Sequence, residues 1–538
     1  MSKFRCSLDW KIQYNSNKKG YASALELYPF LKQEASAGVY NAPQSGSQGN
    51  SISGSTAVTD LTTIVSDNAF NIAVDGKDPI LITVDTSTAN TGADTADELE
   101  LAINAALETE NVDCRVWVKF DVDHYEIYSQ TTGSLSSIVI TDALTNNIAD
   151  DLEIGVLNGG TEQVGTDSED WIYVKAANVN FSQEFEQSAH RSGRQASSIY
   201  RKKKMVEGSL ETYCLLGANA SSDIYMPAGL KTILKSAFGN QSVDTASRAV
   251  FDMKQPHSTY FSMVTANNVY SQTTNGCYLK TWNLELPGDD AASISCDLKG
   301  RDSKVTIPSK VSAATTGSAV VTVSSNEGNN FEEGSRVMIC SADGRTITEG
   351  YAGDLYVESL DLTLDTITLN RAVDTELAGF VVPYFPIFGY NIPADDAQIS
   401  TDLQGTIEFD GVVVDTITSA SVSVDPQVTD LDGYYGADGN RGFVDSSRAN
   451  ITVSATMHLT GEQANLILKA KRFKEFSFNP VVGFNSGQKM KVKCPRVVFQ
   501  VPAVEIPEDG PVEVTLEGQA LQTRAGALDA IEIEFTAS

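Results

Sequence analysis

Histidine is scarce in this chain: His124, His190, His257 and His458 are the four among 538 residues. None stands in a His-Glu-x-x-His or comparable spacing, which removes the common zinc sites. The seven cysteines, Cys6, Cys114, Cys214, Cys277, Cys296, Cys340 and Cys494, form no Cys-x-x-Cys pair. An odd, dispersed set reads as reduced, buried thiols made in a cytoplasm, and excludes a disulfide framework. No apolar run approaches the roughly 20 residues of a membrane helix, so no membrane span is expected. Residues 1–6 lack the apolar segment of a signal peptide, so export by that route is not expected. There is no P-loop, no Gly-x-Gly-x-x-Gly and no Gly-x-Ser-x-Gly elbow. Paired carboxylates are too common in so acidic a chain to mark a site. An enzyme acting on polysaccharide would need a carboxylate pair in a cleft, which no spacing marks. No catalytic group, metal or cofactor is expected.

Positive charge is also short. Lys and Arg number 39 against 70 Asp and Glu, a formal charge of −31. That balance argues against a wrapping contact with nucleic acid, which needs cations to displace counterions. The deficit is uneven: residues 43–165 carry −17 and residues 309–390 carry −7.

What is present is a pattern written twice. Leu284-Glu285-Leu286-Pro287-Gly288-Asp289 leads into an alternating stretch that ends Leu298-Lys299-Gly300. Val504-Glu505-Ile506-Pro507-Glu508-Asp509 leads into another that ends Leu516-Glu517-Gly518. Upstream of each lie a strand and a short helix. Residues 206–216 form the first strand. Leu230, Ile233, Leu234, Ala237 and Phe238 line one helical face behind Pro227, which suits a first helical position. In the second, Ile451, Val453, Ala455 and Met457 alternate. Thr460-Gly461-Glu462-Gln463 then reads as a capping box that opens a helix with Leu466, Ile467, Ala470 and Phe473. The matching order points to an internal duplication.

Two further stretches fall outside the repeat. In residues 43–165, Phe70 to Val74 alternates, Asp75-Gly76 is a hairpin signal, and Ile80 to Val84 is a second strand. Thr95-Ala96-Asp97-Glu98 reads as a capping box for a helix with Leu99, Ile103 and Leu107 on one face, followed by three more strands. Residues 305–390 show short strands at regular spacing, as in a small all-β barrel or sandwich. The fold class is therefore mainly β with short helices (α+β). The expected division is repeat 1 over residues 1–42 and 166–308, an inserted ββαββ module over 43–165, a small β-module over 309–384, and repeat 2 over 385–538.

At this point the chain resembles the major tail tube proteins of long-tailed bacteriophages. The resemblance rests on the strand, helix and hairpin order, on Ala35-Ser36-Ala37-Gly38-Val39-Tyr40-Asn41-Ala42-Pro43, and on Glu207-Gly208-Ser209-Leu210-Glu211. Residues 56–160 resemble the insertion module of flagellins and hook-associated proteins, with their Ile-x-Val-Asp-Gly hairpin and the helix word Ala102-Ile103-Asn104. The first resemblance implies two tail-tube-like β-sandwich or barrel repeats in a structural protein of the virion tail, made in the bacterial host cytoplasm. It implies rings stacked into a non-contractile (siphovirus) tube through which genomic DNA is ejected. Its partners would be further copies of itself as homotrimeric rings in a helical assembly, the tail terminator, tail tip or baseplate proteins, and a tape measure protein. Double-stranded DNA would pass without specific binding. The alternative is an extracellular filament, hook-associated or adhesin-like surface protein; the flagellin-like module favours it, but the long terminal heptad helices of flagellar filaments are absent.

Two sets of residues follow. Alternation puts Asp297, Lys299, Glu513, Thr515 and Glu517 on the water side of the repeat strands, the expected lumen face. A polar loop over residues 187–204 carries Arg191, Arg194, Arg201, Lys202, Lys203 and Lys204. It reads equally as a contact arm or a solvated charge run. Its counterpart in repeat 2 is acidic, with Asp425, Asp430, Asp432 and Asp438, so the two arms are expected to meet between domains or rings. Asp430 to Asp438 hints at a calcium loop but lacks EF-hand spacing, and a turn-rich loop is the default.

Overall fold

The computed structural model describes residues 28–34, 49–164, 172–187, 199–217, 222–384, 397–399, 405–430, 444–504, 511–523 and 529–537, apart from stretches of up to six residues within those spans. Among the described residues strand dominates, with α-helix at three places: α1 (Gly92–Thr109), α2 (Ala228–Phe238) and α3 (Ala464–Lys471). The mainly β class expected from the alternation is what the chain adopts.

Eight strands form one continuous antiparallel layer. They are β1 (Ala176–Gln187), β2 (Ile199–Tyr213), β3 (Ser271–Pro287), β4 (Ser293–Gly300), β5 (Ile417–Asp425), β6 (Asn450–His458), β7 (Lys489–Phe499) and β8 (Glu513–Ala520). Their spatial order is β1-β2-β4-β3-β5-β6-β8-β7. The order 1-2-4-3 thus recurs as 5-6-8-7. The two sets are joined where β3 pairs with β5: Trp282 lies opposite Val424, Leu284 opposite Val422 and Leu286 opposite Ala420.

One side of this layer is apolar. Leu210, Ile294, Cys296, Leu298, Trp282, Leu284, Val422, Val424, Val453, Met457 and Leu516 are buried in one core cluster. Helix α2 packs there, with Phe238 meeting the Trp282 ring edge-on at 5.5 Å between centroids. The C-terminal strand Glu532–Thr536 ties the halves together behind the layer. It pairs with Arg248–Met253 on one side and with Lys489–Lys493 of β7 on the other.

Residues 49–163 have a core of their own, including Leu61, Phe70, Ile72, Leu99, Ile103, Tyr125 and Ile140. Asp75 and Gly76 turn the first hairpin at φ of +53° and +67°, the conformation of a type I′ turn. Helix α1 begins earlier than the capping box at Thr95 implied. Thr91 caps it, accepting from Asp94 N at 3.1 Å and donating to the Asp94 carboxylate at 2.7 Å. Thr95 instead lies inside the helix, buried, with its hydroxyl on Thr59 O at 3.0 Å. The Thr-x-x-acid pattern occurs twice one turn apart, and the outer copy wins because the inner hydroxyl is taken by packing.

Residues 309–383 form a seven-stranded antiparallel sheet, with strands from Ser309–Ala313 to Phe380–Pro383. Val321, Ile339, Val357, Ile367 and Val381 fill its interior. An antiparallel bridge between Arg336 and Tyr356 joins its two sides.

Candidate functional site

Among the described residues no cluster of three or more His, Cys, Asp or Glu is placed to hold a metal ion. Cys214, Cys277, Cys296, Cys340 and Cys494 are buried. Burial pushes the Cys214 and Cys494 thiols up to about 12, which leaves them protonated and unreactive at neutral pH. No helix among the described residues is long and apolar enough to cross a membrane.

The site is a surface: the polar side of the eight-stranded layer. Strand alternation builds it, because every residue between two core positions must point the other way. Register then carries it across the sheet. Ser209 faces Asp297 and Glu207 faces Lys299 between β2 and β4. Thr281 and Asn283 of β3 face Asp297 and Ser295. Asn283 and Glu285 face Ser423 and Ser421 across the seam to β5. Ser421 faces Ser454 of β6, and Ser454, Thr456 and His458 face Glu517, Thr515 and Glu513 of β8. Asp297, Lys299, Glu513, Thr515 and Glu517 therefore share one face, Lys299 half-buried and the other four exposed.

The chemistry of this face is hydroxyl-rich and acidic. Glu207, Glu211, Glu285, Asp297, Asp425, Glu513 and Glu517 stand on it together with Lys299, and Lys280 is exposed at the bulge beside Thr281. Short polar contacts pin it. Thr281 Oγ1 donates to Asp297 at 2.8 Å, and the Thr456 and Thr515 hydroxyls share a hydrogen bond of 3.0 Å. His458 Nδ1 lies 3.5 Å from the Glu513 carboxylate. At the rim Lys175 donates to Glu211 at 2.7 Å, and that hydrogen bond raises the lysine above its ordinary value. Sequence reasoning missed β5. Its Ser419, Ser421 and Ser423 alternate with Ala420, Val422 and Val424, a period of two legible in advance.

The charged arms occupy corresponding places, between the first and second strands of each set. Arg201, Lys202, Lys203 and Lys204 were expected in a loop; they lie in β2, extending its hairpin with β1, with Lys204 opposite Gln183 after a bulge. The cause is backbone pairing: β1 runs on to Gln187 and pairs with Ile199, Tyr200 and Arg201, and again from Lys204 onward, with Lys202 and Lys203 in the bulge between. Arg191 and Arg194 lie outside the described residues. Asp425 ends β5 and accepts from Gln427 N at 2.8 Å. Asp430 ends the short strand Val428–Asp430, which pairs with Val444–Ser446. Asp432 and Asp438 lie outside the described residues.

The described layer is all-antiparallel, with one core face and one broad polar face. A family model described as "Phage tail tube protein" matches residues 155–366 and 388–520, more than half of the chain. The chain belongs to the phage tail tube protein family. It is a structural component of the virion tail that assembles with itself into the tube and joins other tail proteins. No curated protein is significantly similar to it.

Proposed function

We propose that the chain carries two tube domains and closes rings of three copies. Stacked, these form the tube of a long, non-contractile tail that conducts genomic double-stranded DNA into the host. The observation that supports this reading is the recurrence of the 1-2-4-3 strand order as 5-6-8-7 in one uninterrupted layer. Two equivalent domains per chain turn three chains into six positions around an axis, and heterologous head-to-tail contacts close when the rotation divides the circle.

The polar face is the lumen. Carboxylates and hydroxyls there repel or ignore a phosphate backbone, so DNA slides without adhering. The module at residues 56–160, flagellin-like in its motifs and outside the family match as far as residue 154, decorates the outer surface with its negative charge in solvent. The small β-module at 309–384 does the same, and decoration of this size leaves no room for a contractile sheath. The basic and acidic arms meet between domains or stacked rings. Terminator, tip or baseplate and tape measure proteins cap and fill the tube.

A cross-section of purified tubes by electron microscopy tests the ring: three chains are expected, and six would remove the duplication reading. Replacing Glu513 and Glu517 with Lys tests the lumen. Tubes should form and DNA ejection should slow; unchanged ejection would place both residues on the outside.

A further inference from the structure

A lysine stands in a break of the strand pairing on the polar face. Between β3 and β4 the register runs Tyr278 to Lys299 and Leu279 to Leu298, then resumes at Thr281 opposite Asp297. Lys280 is the extra residue of this β-bulge. Leu279 and Trp282, on either side, are both buried in the core, so the two residues between them share the opposite, polar side. Bulges re-aim side chains in this way. Thr281 Oγ1 donates to the Asp297 carboxylate at 2.8 Å and so occupies the acid nearest in the register. Lys280 is exposed, and among the described residues it has no ion-pair partner. A lysine that served only to neutralise the acids of this face would be paired with one of them.

The two sets differ in charge at this end of the layer. In the first, Lys299 lies two residues along in the register from Lys280, and β2 runs on past Val206 through Lys204 to Arg201. In the second, Glu517 takes the place of Lys299, each standing just before the glycine that ends its strand, and Asp425 follows the Val424 that faces Trp282. Glu207 faces Lys299 across β2, which leaves Lys280 as the cation open to a ligand. Resting on the reading of the polar face as the lumen, we infer that Lys280 is a phosphate-contact residue for the duplex DNA that passes through the tube. Duplex DNA presents one negative charge per about 1.7 Å of its axis, and an ammonium on a flexible stem meets such a backbone without reading sequence. Each exposed contact is weak, and the acidic second set interrupts the cations around the ring. The duplex is therefore slowed and centred, not held.

Virions carrying Lys280→Ala test the contact. The side chain is exposed, so the chain should fold and tubes should form. At low ionic strength the variant should eject its DNA at least about twofold faster than the unmodified virion, and the ratio should fall toward one in about 1 M salt, where the Debye length is about 3 Å. Lys280→Arg keeps the charge and should match the unmodified rate. Equal rates for Lys280→Ala and the unmodified virion at every salt concentration would overturn the phosphate contact. An unchanged rate with altered tube length would also overturn it, and would assign the lysine to the tape measure protein. Thiol labelling tests the lumen reading separately. In tubes of Lys280→Cys, a small maleimide should label more thiol than in unmodified tubes, while a maleimide coupled to a protein too wide for the tube should not. Labelling by both reagents would overturn the lumen reading and the contact together. Labelling by the small reagent alone, with ejection unchanged in Lys280→Ala, would overturn the contact and leave the lumen reading standing.

Discussion

On the apolar side of β1 to β4, α2 offers an unbroken face: Leu230, Ile233, Leu234, Ala237 and Phe238 are all buried. On the same side of β5 to β8, α3 has eight residues and only Ala470 is fully buried. Phe473, expected on its inner face, lies past the helix end and is 71% exposed. Its work passes to Phe409, Phe476, Phe478 and Phe499, whose ring centroids lie 5.2 to 6.4 Å apart. The halves share strand order because order depends on backbone pairing, which any alternating segment satisfies. Their cores differ because packing depends on side-chain shape, and each half has filled its space separately.

The largest expected effect separates the aromatics at the two helix ends. Phe238→Ala should cost about 3–5 kcal/mol, as for other fully buried aromatics. Phe473→Ala should stay within about 0.5 kcal/mol, as for an exposed site. Denaturant unfolding of the unassembled chain reads both, and equal costs would erase the distinction drawn between the helices.

The next effect concerns what binds the halves to each other. Glu534 on the C-terminal strand accepts from Arg248 at 2.6 Å and from Lys493 at 2.6 Å, one cation from each half. Burial opposes its ionisation, but the hydrogen bonds from Lys493 and Arg248 outweigh burial and hold its carboxyl below the ordinary value. A depressed carboxylate contributes stability that is present above its unfolded value and lost as pH falls through the folded one. Glu534→Gln should therefore cost about 1.5–3 kcal/mol at neutral pH, and less as the solution is acidified below the ordinary glutamate range. A cost that does not change with pH would assign the loss to packing.

A smaller effect probes equivalent strand positions. Gly208 of β2 and Ala455 of β6 occupy the same register, opposite Leu298 and Leu516. A Cβ at Gly208 would meet Asn178 O at 2.8 Å and Leu298 Cδ1 at 2.8 Å. Gly208→Ala should cost about 1–3 kcal/mol through overpacking, although its counterpart already carries that methyl group. A neutral result would show the two sets to be closer in shape than their cores indicate. The smallest change should be favourable. Gly239 closes α2 at a φ of +83°, whereas Phe473, after α3, sits at +50°. Phe473→Gly should raise stability by about 0.5–1 kcal/mol by relieving the left-handed strain, measured as a higher unfolding midpoint.

Local alternation was enough to determine, from sequence, that Asp297 and Glu517 point away from the core, that α2 buries Leu230 and Phe238, and that Asp75-Gly76 turns a hairpin. Each depends on the period of two or 3.6 within a few residues, or on the φ that a turn demands. Only the tertiary structure decided that Trp282 lies opposite Val424, that Arg201 to Lys204 continue a strand, that Thr91 rather than Thr95 caps α1, and that Phe473 stays in solvent. In each of these cases the sequence permits two arrangements of similar local energy. The choice falls to a partner strand or a packed neighbour far away in the chain, whose contribution no local pattern encodes.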